Sequence, residues 1–196
     1  MVRLSAGPLN SVTDLEHGAG GEEQIRDVVP AAGSYGVPTV VRVESAARIR
    51  MGRVLDSGAA GINRACRFGL DPGALDRANA EVLGVVQVES ATAVGDADQI
   101  AGLDGVDVLF VGPRDLSHDL GVPGGLTAPA FVEAIGHVLA ACRRHGKACG
   151  LLVADGAAAR RLEQGWSFVA IGSDTTLLAT AVSAELGRAR TSAKPQ

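Results

Sequence analysis

The sequence has few of the residues that mark several classes of protein. Its 196 residues include three cysteines, six aromatic residues (Phe 4, Trp 1, Tyr 1) and only two lysines, Lys147 and Lys194. Three cysteines without a C-x-x-C pair do not form a disulfide framework. No run of 18 apolar residues is present, which excludes a membrane-spanning segment, and the first residues lack the apolar stretch of a secretory signal. We therefore expect a cytoplasmic protein.

Basic residues are also too few for a polyanion-binding surface. Lys+Arg number 18 against 22 Asp+Glu, which gives a net charge of -4. Neither nucleic acid nor an anionic membrane is then an expected partner. Hydrophobic residues make up 46% of the chain and 26 residues are glycine, a globular composition with many tight turns. A length of 196 residues predicts a single domain over residues 1–196, and the polar segment 188–196 is expected to be a flexible tail.

Short apolar runs alternate with longer Ala-, Leu- and Arg-rich segments, as expected for strand–helix–strand units and a parallel sheet. The predicted strands are 11–15, 38–43, 83–88, 106–111, 150–153 and 168–171, with a weaker seventh at 59–62. The predicted helices are 22–32, 46–55, 91–101, 128–145 and 157–164. Counting alone leaves two layouts open, an open doubly wound sheet and a closed (β/α)₈ barrel.

Polar side chains cluster where the predicted strands end. Asp14 lies at the end of the first strand and His17 follows it, Arg42 lies late in the second and Glu89 ends the third. Asp115 follows the fourth, in a predicted loop at 112–117. The carboxyl ends of parallel strands share one rim, where active sites are built. Two carboxylates without a nearby thiolate suit a hard divalent cation, and an Arg beside it can bind a carboxylate substrate. A His close to an Asp can act as a general base near neutral pH.

The other patterns are weaker. Cys142, His145 and Cys149 resemble part of a zinc site, but a helix end separates them and no fourth ligand is near, so buried thiols are the preferred interpretation. Neither a nucleophile elbow nor a phosphate-binding loop is present, which excludes the commonest serine hydrolases and nucleotide hydrolases.

Two motifs carry a family resemblance. The sequence Q-V-E at 87–89, followed by G-P-R-D-L-S at 112–117, resembles the HpcH/HpaI aldolases, which are metal-dependent class II pyruvate aldolases. The resemblance extends to D-L-E-H-G at 14–18, V-R-V at 41–43, L-D-S-G-A at 55–59 and F-V-A-I-G-S-D at 168–174. It covers residues 14 to about 182. The family fold is a TIM (β/α)₈ barrel, so the resemblance favours the barrel over the open sheet.

The resemblance implies a role for each matching residue. It makes Glu89 and Asp115 the protein ligands of a divalent cation, Mg²⁺, Mn²⁺ or Co²⁺. Arg42 binds the pyruvyl group and stabilises its enolate, and Gln87, Arg114 and Asp115 contact the substrate. In the remaining roles His17 is the base, Asp14 its companion, and Asp56 the acid that raises the basicity of that histidine.

This sequence is shorter than the family pattern in two places. Only thirteen residues precede Asp14, where the family has a first βα unit, and about thirty residues are missing after Ile62. The expected fold is therefore an incomplete barrel. Two functions follow as alternatives: a lyase that cleaves 4-hydroxy-2-oxo acids to pyruvate and an aldehyde, or a shortened, non-catalytic relative that forms oligomers or binds a ligand.

The missing segments also predict a homo-oligomer, for which the family's hexamers with an exchanged C-terminal helix are the precedent. Loss of a βα unit exposes a parallel sheet edge, and such edges invite pairing. We expect Asp56 and the apolar segment 175–182 near the subunit interface. Sedimentation velocity at low micromolar concentration checks this prediction, and a folded monomer of 19.9 kDa would contradict it.

Overall fold

The computed structural model describes residues 11–14, 22–35, 37–43, 82–153 and 157–192, with five more positions between 70 and 77. It divides the chain into two compact units, residues 5–82 and residues 1–4 with 83–196. That these units together make one domain stays a prediction. None of the helices in the described part is long and apolar enough to cross a bilayer.

The first unit contains a pair of parallel strands and a helix. The elements are β1 (Ser11–Asp14), α1 (Glu22–Ser34) and β2 (Thr39–Arg42). The register aligns Ser11 with Thr39 and Asp14 with Arg42, so both strands end together. The predicted strand at 59–62 and the predicted helix at 46–55 lie outside the described residues.

The second unit is built on a four-stranded parallel sheet in the order β3-β4-β5-β6. Its strands are β3 (Val85–Val88), β4 (Val108–Val111), β5 (Ala148–Val153) and β6 (Phe168–Ile171). Its helices are α2 (Ala91–Gly95), α3 (Ala97–Ala101), α4 (Pro113–Asp119), α5 (Pro129–His145), α6 (Ala158–Glu163) and α7 (Asp174–Ser192). All six predicted strands are therefore present, each within two residues of its predicted limits.

Helix α5 forms the core of this unit with the sheet. Its buried residues recur at spacings of three and four, which places them on one face: Phe131, Ala134, Ile135, Val138, Ala141 and Cys142. That face packs against β4, β5 and the helices α2 and α3. The same core contains Leu109, Leu151 and Trp166, each at most 2% exposed. Burial of each large apolar side chain contributes about 1.5–3 kcal/mol to the stability of the unit.

The carboxyl end of α5 is fixed by glycine and by charge. Gly146 ends the helix in the left-handed region (φ 65°), which glycine adopts without steric cost. The guanidinium of Arg144 donates through Nε to Oδ1 of Asp98 on α3 at 2.9 Å, and Nε2 of His145 lies 3.3 Å from the same oxygen. Hydrogen bonding to Arg144 lowers the pKa of Asp98 below its ordinary value.

The structure corrects two expectations. The segment that follows Gly112, read from sequence as a loop, begins helix α4, because Pro113 suits the first helical position and Asp115 the first turn. The single predicted helix at 91–101 is two helices, which end and begin at Asp96. Helix α7 continues to Ser192, and the flexibility expected for residues 188–196 stays a prediction.

Gly150 lies where neighbouring strands of the sheet pack closely, and replacing it tests that packing. It aligns with Phe168 on β6 and Phe110 on β4, whose rings meet edge to face with centroids 6.0 Å apart. A Cβ at residue 150 would lie 2.7 Å from both Cδ2 of Phe110 and the carbonyl oxygen of Phe168. Gly150→Ala is expected to lower the free energy of unfolding by about 1–3 kcal/mol, measured by calorimetry.

The matched control is Gly136→Ala. Gly136 is exposed on α5, and beyond the nearby backbone of its own helix no atom of the described residues lies within 4 Å of a Cβ at that position. Alanine should stabilise the helix there by about 0.5–1 kcal/mol. Equal effects of the two substitutions would contradict the close packing at Gly150.

Candidate active site

The candidate site starts from the register of β3 and β4. Val88 aligns with Val111, both fully buried, and the amide of Gly112 donates to the carbonyl of Val88 at 3.1 Å. The two strands therefore end side by side, with Glu89 next to Gly112. This brings the Q-V-E and G-P-R-D-L-S motifs together at the carboxyl ends of the strands, called the sheet edge below.

Gln87 and Glu89 are two residues apart along the chain, so their side chains point to the same face. The side-chain amide of Gln87 donates a hydrogen bond to Oε2 of Glu89. Both side chains are partly buried. Gln87 therefore holds one carboxylate oxygen of Glu89. The sequence analysis assigned Gln87 to the substrate and did not predict this hydrogen bond.

Gly112 makes room for this pair. A Cβ at residue 112 would lie 2.9 Å from Nε2 of Gln87 and 3.1 Å from Oε2 of Glu89. A residue with a Cβ at this position would make the amide of Gln87 and the carboxylate of Glu89 shift. The glycine of the G-P-R-D-L-S motif thus leaves room for the side chains of the other motif.

Helix α4 begins at this point and carries the other predicted residues. Arg114 and Asp115 lie in its first turn, and both are exposed. Ser117, which is fully buried, donates through Oγ to the carbonyl of Arg114 at 2.7 Å and accepts from the amide of Gly124 at 3.0 Å. These two bonds hold the helix against the loop that follows it.

The remaining predicted residues lie in the first unit or outside the described residues. Asp14 and Arg42 end β1 and β2 as register partners, and Arg42 is partly buried. His17 and Asp56 lie outside the described residues. The backbones of Asp14 and Arg42 therefore lie side by side at the ends of their strands.

The residues at the sheet edge suit a hard divalent cation. Glu89 and Asp115 offer carboxylate oxygens, which Mg²⁺ and Mn²⁺ prefer, and the lack of a side chain at Gly112 lets the Glu89 carboxylate lie close to the backbone there. Two protein carboxylates are few, but Mg²⁺ is usually held by one or two carboxylates with waters and substrate oxygens. In the described part of the chain, no group of three or more His, Cys, Asp or Glu residues could hold a metal.

Cys142, His145 and Cys149, the partial zinc set, are not part of any group of three or more such residues that could hold a metal ion among the described residues. Cys142 and Cys149 are buried free thiols, as the sequence predicts, while His145 pairs with Asp98. The hydrogen bond to Cys142 and burial both raise the pKa of Cys149. Cys66 lies outside the described residues.

Comparison with known families identifies the arrangement. Residues 36–181 match the family described as HpcH/HpaI aldolase/citrate lyase. The chain belongs to the HpcH/HpaI family. The predicted resemblance is therefore confirmed.

Curated relatives of this HpcH/HpaI chain are named as aldolases. It is 41% identical over 143 residues to the 5-keto-4-deoxy-D-glucarate aldolase of Salmonella paratyphi C, which covers 70% of the chain and 56% of the relative. It is 38% identical over 168 residues to the 4-hydroxy-2-oxo-heptane-1,7-dioate aldolase of Escherichia coli, covering 81% and 64%. The chain thus spans about three fifths of the length of these relatives.

Solved structures of the family have the same fold. An HpcH/HpaI aldolase/citrate lyase family protein from Burkholderia cenocepacia superposes with a TM-score of 0.84 at 31% identity, over 91% of this chain and 84% of the other. The HpcH/HpaI aldolase of Desulfitobacterium hafniense gives 0.78 at 26% identity, over 94% and 83%. The predicted α/β fold class of the TIM-barrel type is confirmed by these relatives.

Proposed function

We propose that this chain is a lyase that reversibly cleaves a 4-hydroxy-2-oxo acid to pyruvate and an aldehyde, with a divalent cation as cofactor. The observation that carries the proposal is the meeting of Gln87, Glu89 and Gly112 at the start of the helix that holds Asp115. Membership of the HpcH/HpaI family and relatives named as aldolases support the same reaction.

In this proposal Glu89 and Asp115 hold the cation, Mg²⁺, Mn²⁺ or Co²⁺. When bound, such a cation polarises the 2-oxo group of the substrate as a Lewis acid. Gln87 donates its amide to Oε2 of Glu89, so we assign Oε1 of that carboxylate to the cation. Arg114 and the backbone beside it contact the substrate at the first turn of α4.

The proton and charge steps belong to residues assigned by the family resemblance. His17 removes the proton from the 4-hydroxyl group, with Asp14 as its companion and Asp56 raising its basicity. The bond between C3 and C4 then breaks, the aldehyde leaves, and the electron pair forms the enolate of pyruvate. Arg42 stabilises the enolate oxygen, and protonation at C3 completes pyruvate.

The non-catalytic alternative rests on the chain length alone. It predicts a folded protein that releases no pyruvate with any cation. The curated relatives named as aldolases favour the lyase over this alternative.

The self-association expected from sequence remains part of the proposal. Four apolar side chains of α7 are about half exposed or more in the single chain: Leu177, Leu178, Val182 and Leu186. Exposed apolar residues on one helix support contact with a second copy. A cytoplasmic location also stays a prediction.

The cation site is tested by Glu89→Gln and Asp115→Asn, which keep the size of each side chain and remove its charge. Either change should abolish Mn²⁺ binding in calorimetry. Both should also abolish pyruvate release from a 4-hydroxy-2-oxo acid assayed with added Mg²⁺, Mn²⁺ or Co²⁺. The lyase proposal fails if the folded wild-type protein releases no pyruvate with any of the three.

Cys142→Ala and Cys149→Ala are the controls for this experiment. Both thiols are buried in the core and are expected to leave Mn²⁺ binding intact. Loss of binding in the cysteine variants, with binding kept in the carboxylate variants, would overturn the carboxylate site in favour of a thiolate site.

The role of Arg42 is tested by Arg42→Lys, which keeps the positive charge and removes the planar fork of donors. Turnover is expected to fall about 10²–10³-fold, as for loss of an oxyanion donor, with weaker pyruvate binding.

The role of His17 is tested by His17→Ala, which should reduce turnover while Mn²⁺ and pyruvate binding are kept. Loss of Mn²⁺ binding in His17→Ala would make His17 a ligand and contradict its role as base.

A further inference from the structure

Two hydrogen bonds connect the two chain segments that carry the candidate ligands Glu89 and Asp115. The amide of Gly112 donates to the carbonyl of Val88 at 3.1 Å, on one side of Glu89. On the other side, the amide of Ala91 donates to Oδ2 of Asp119 at 2.6 Å. The segments 88–91 and 112–119 are thus joined at both ends, with Glu89 on one segment and Asp115 on the other.

The second segment is helix α4, which links the position of Asp119 to that of Asp115. Asp115 and Asp119 are four residues apart on α4, so they lie on the same face of the helix, about one turn apart. Ser117 locks the turn between them through its bonds to Arg114 and Gly124. A shift of Asp119 would therefore shift Asp115 with it.

Asp119 is placed where its own helix does not favour it. It is the last residue of α4, and a carboxylate at a helix carboxyl end is electrostatically unfavourable. Its oxygen instead accepts one of the first amides of α2, which has no partner within that helix. Ser90 caps a second amide of α2 through Oγ, which accepts from Ala93 at 3.2 Å. The carboxylate of Asp119 thus serves the helix that follows Glu89.

We propose that Asp119 is a positioning residue that fixes the separation of the Glu89 and Asp115 carboxylates by tying α4 to α2. This inference rests on the proposed cation site. It adds a residue that touches neither the cation nor the substrate, and it places the control of ligand spacing at an exposed side chain one turn away.

The test compares Asp119→Ala with Asp119→Asn, since asparagine keeps an acceptor oxygen and loses the charge. Mn²⁺ is titrated by calorimetry without substrate, and hydrogen exchange of the Ala91 amide is measured by NMR. Asp119→Ala should weaken Mn²⁺ binding roughly tenfold, as loss of an outer partner of a metal ligand does, and should speed exchange at Ala91. Asp119→Asn should restore most of both.

The matched control is Asp104→Ala. Asp104 is an exposed aspartate in the turn before β4, at the other end of that strand, so its removal changes the net charge equally. Mn²⁺ affinity and exchange at Ala91 should be unchanged. A tenfold loss in this variant too would overturn the proposal, because the effect would then be one of overall charge.

Two further outcomes separate this inference from the proposed function. If Asp119→Ala binds Mn²⁺ as the wild type does while Glu89→Gln does not bind, the positioning role is overturned and the cation site stands. If the folded wild type binds no Mn²⁺, both are overturned. Equal losses in Asp119→Ala and Asp119→Asn, with unchanged exchange at Ala91, would also overturn the role of the hydrogen bond.

Discussion

The parallel register of β3 and β4 is the constraint on which the candidate site depends. Val88 and Val111 are fully buried as register partners, and this pairing sets Glu89 beside Gly112. A slip of one residue would turn Gln87 and Glu89 to the opposite face and expose the valines. The hydrophobic burial that selects the register therefore also selects which polar side chains meet.

Small residues have as much influence on this edge as charged ones. At Gly112 the amide of Gln87 and the carboxylate of Glu89 occupy the space where a side chain would begin. Ser117 is the right size to be fully buried and to satisfy two partners in the turn that follows. The motif G-P-R-D-L-S can thus be understood as a charged residue, Asp115, with the packing that presents it.

The strands and the long helix were predictable, because continuous apolar runs and the spacing on α5 state directly which faces are buried. Helix α4 was not, since seven polar and apolar residues give no clear periodicity and Gly-Pro is typical of a turn. The pairing of Gln87 with Glu89 depends on side-chain direction, and that of Asp119 with Ala91 joins residues 28 apart. Neither contact has a signal in a single sequence, whereas Glu89 and Asp115 were predicted as ligands from their places at the strand ends and from the family resemblance.

Trp166 is the single tryptophan of the chain, and it is 2% exposed among the core residues around α5. Indole emission responds to the polarity of its surroundings, so the intrinsic fluorescence of this protein monitors the hydration of one unit. Residues 5–82, which include Asp14 and Arg42, contribute no indole to that signal. A denaturation curve followed by tryptophan fluorescence therefore reports the unfolding of the four-stranded sheet and its helices. It does not report directly on β1 and β2, the strands that end at Asp14 and Arg42.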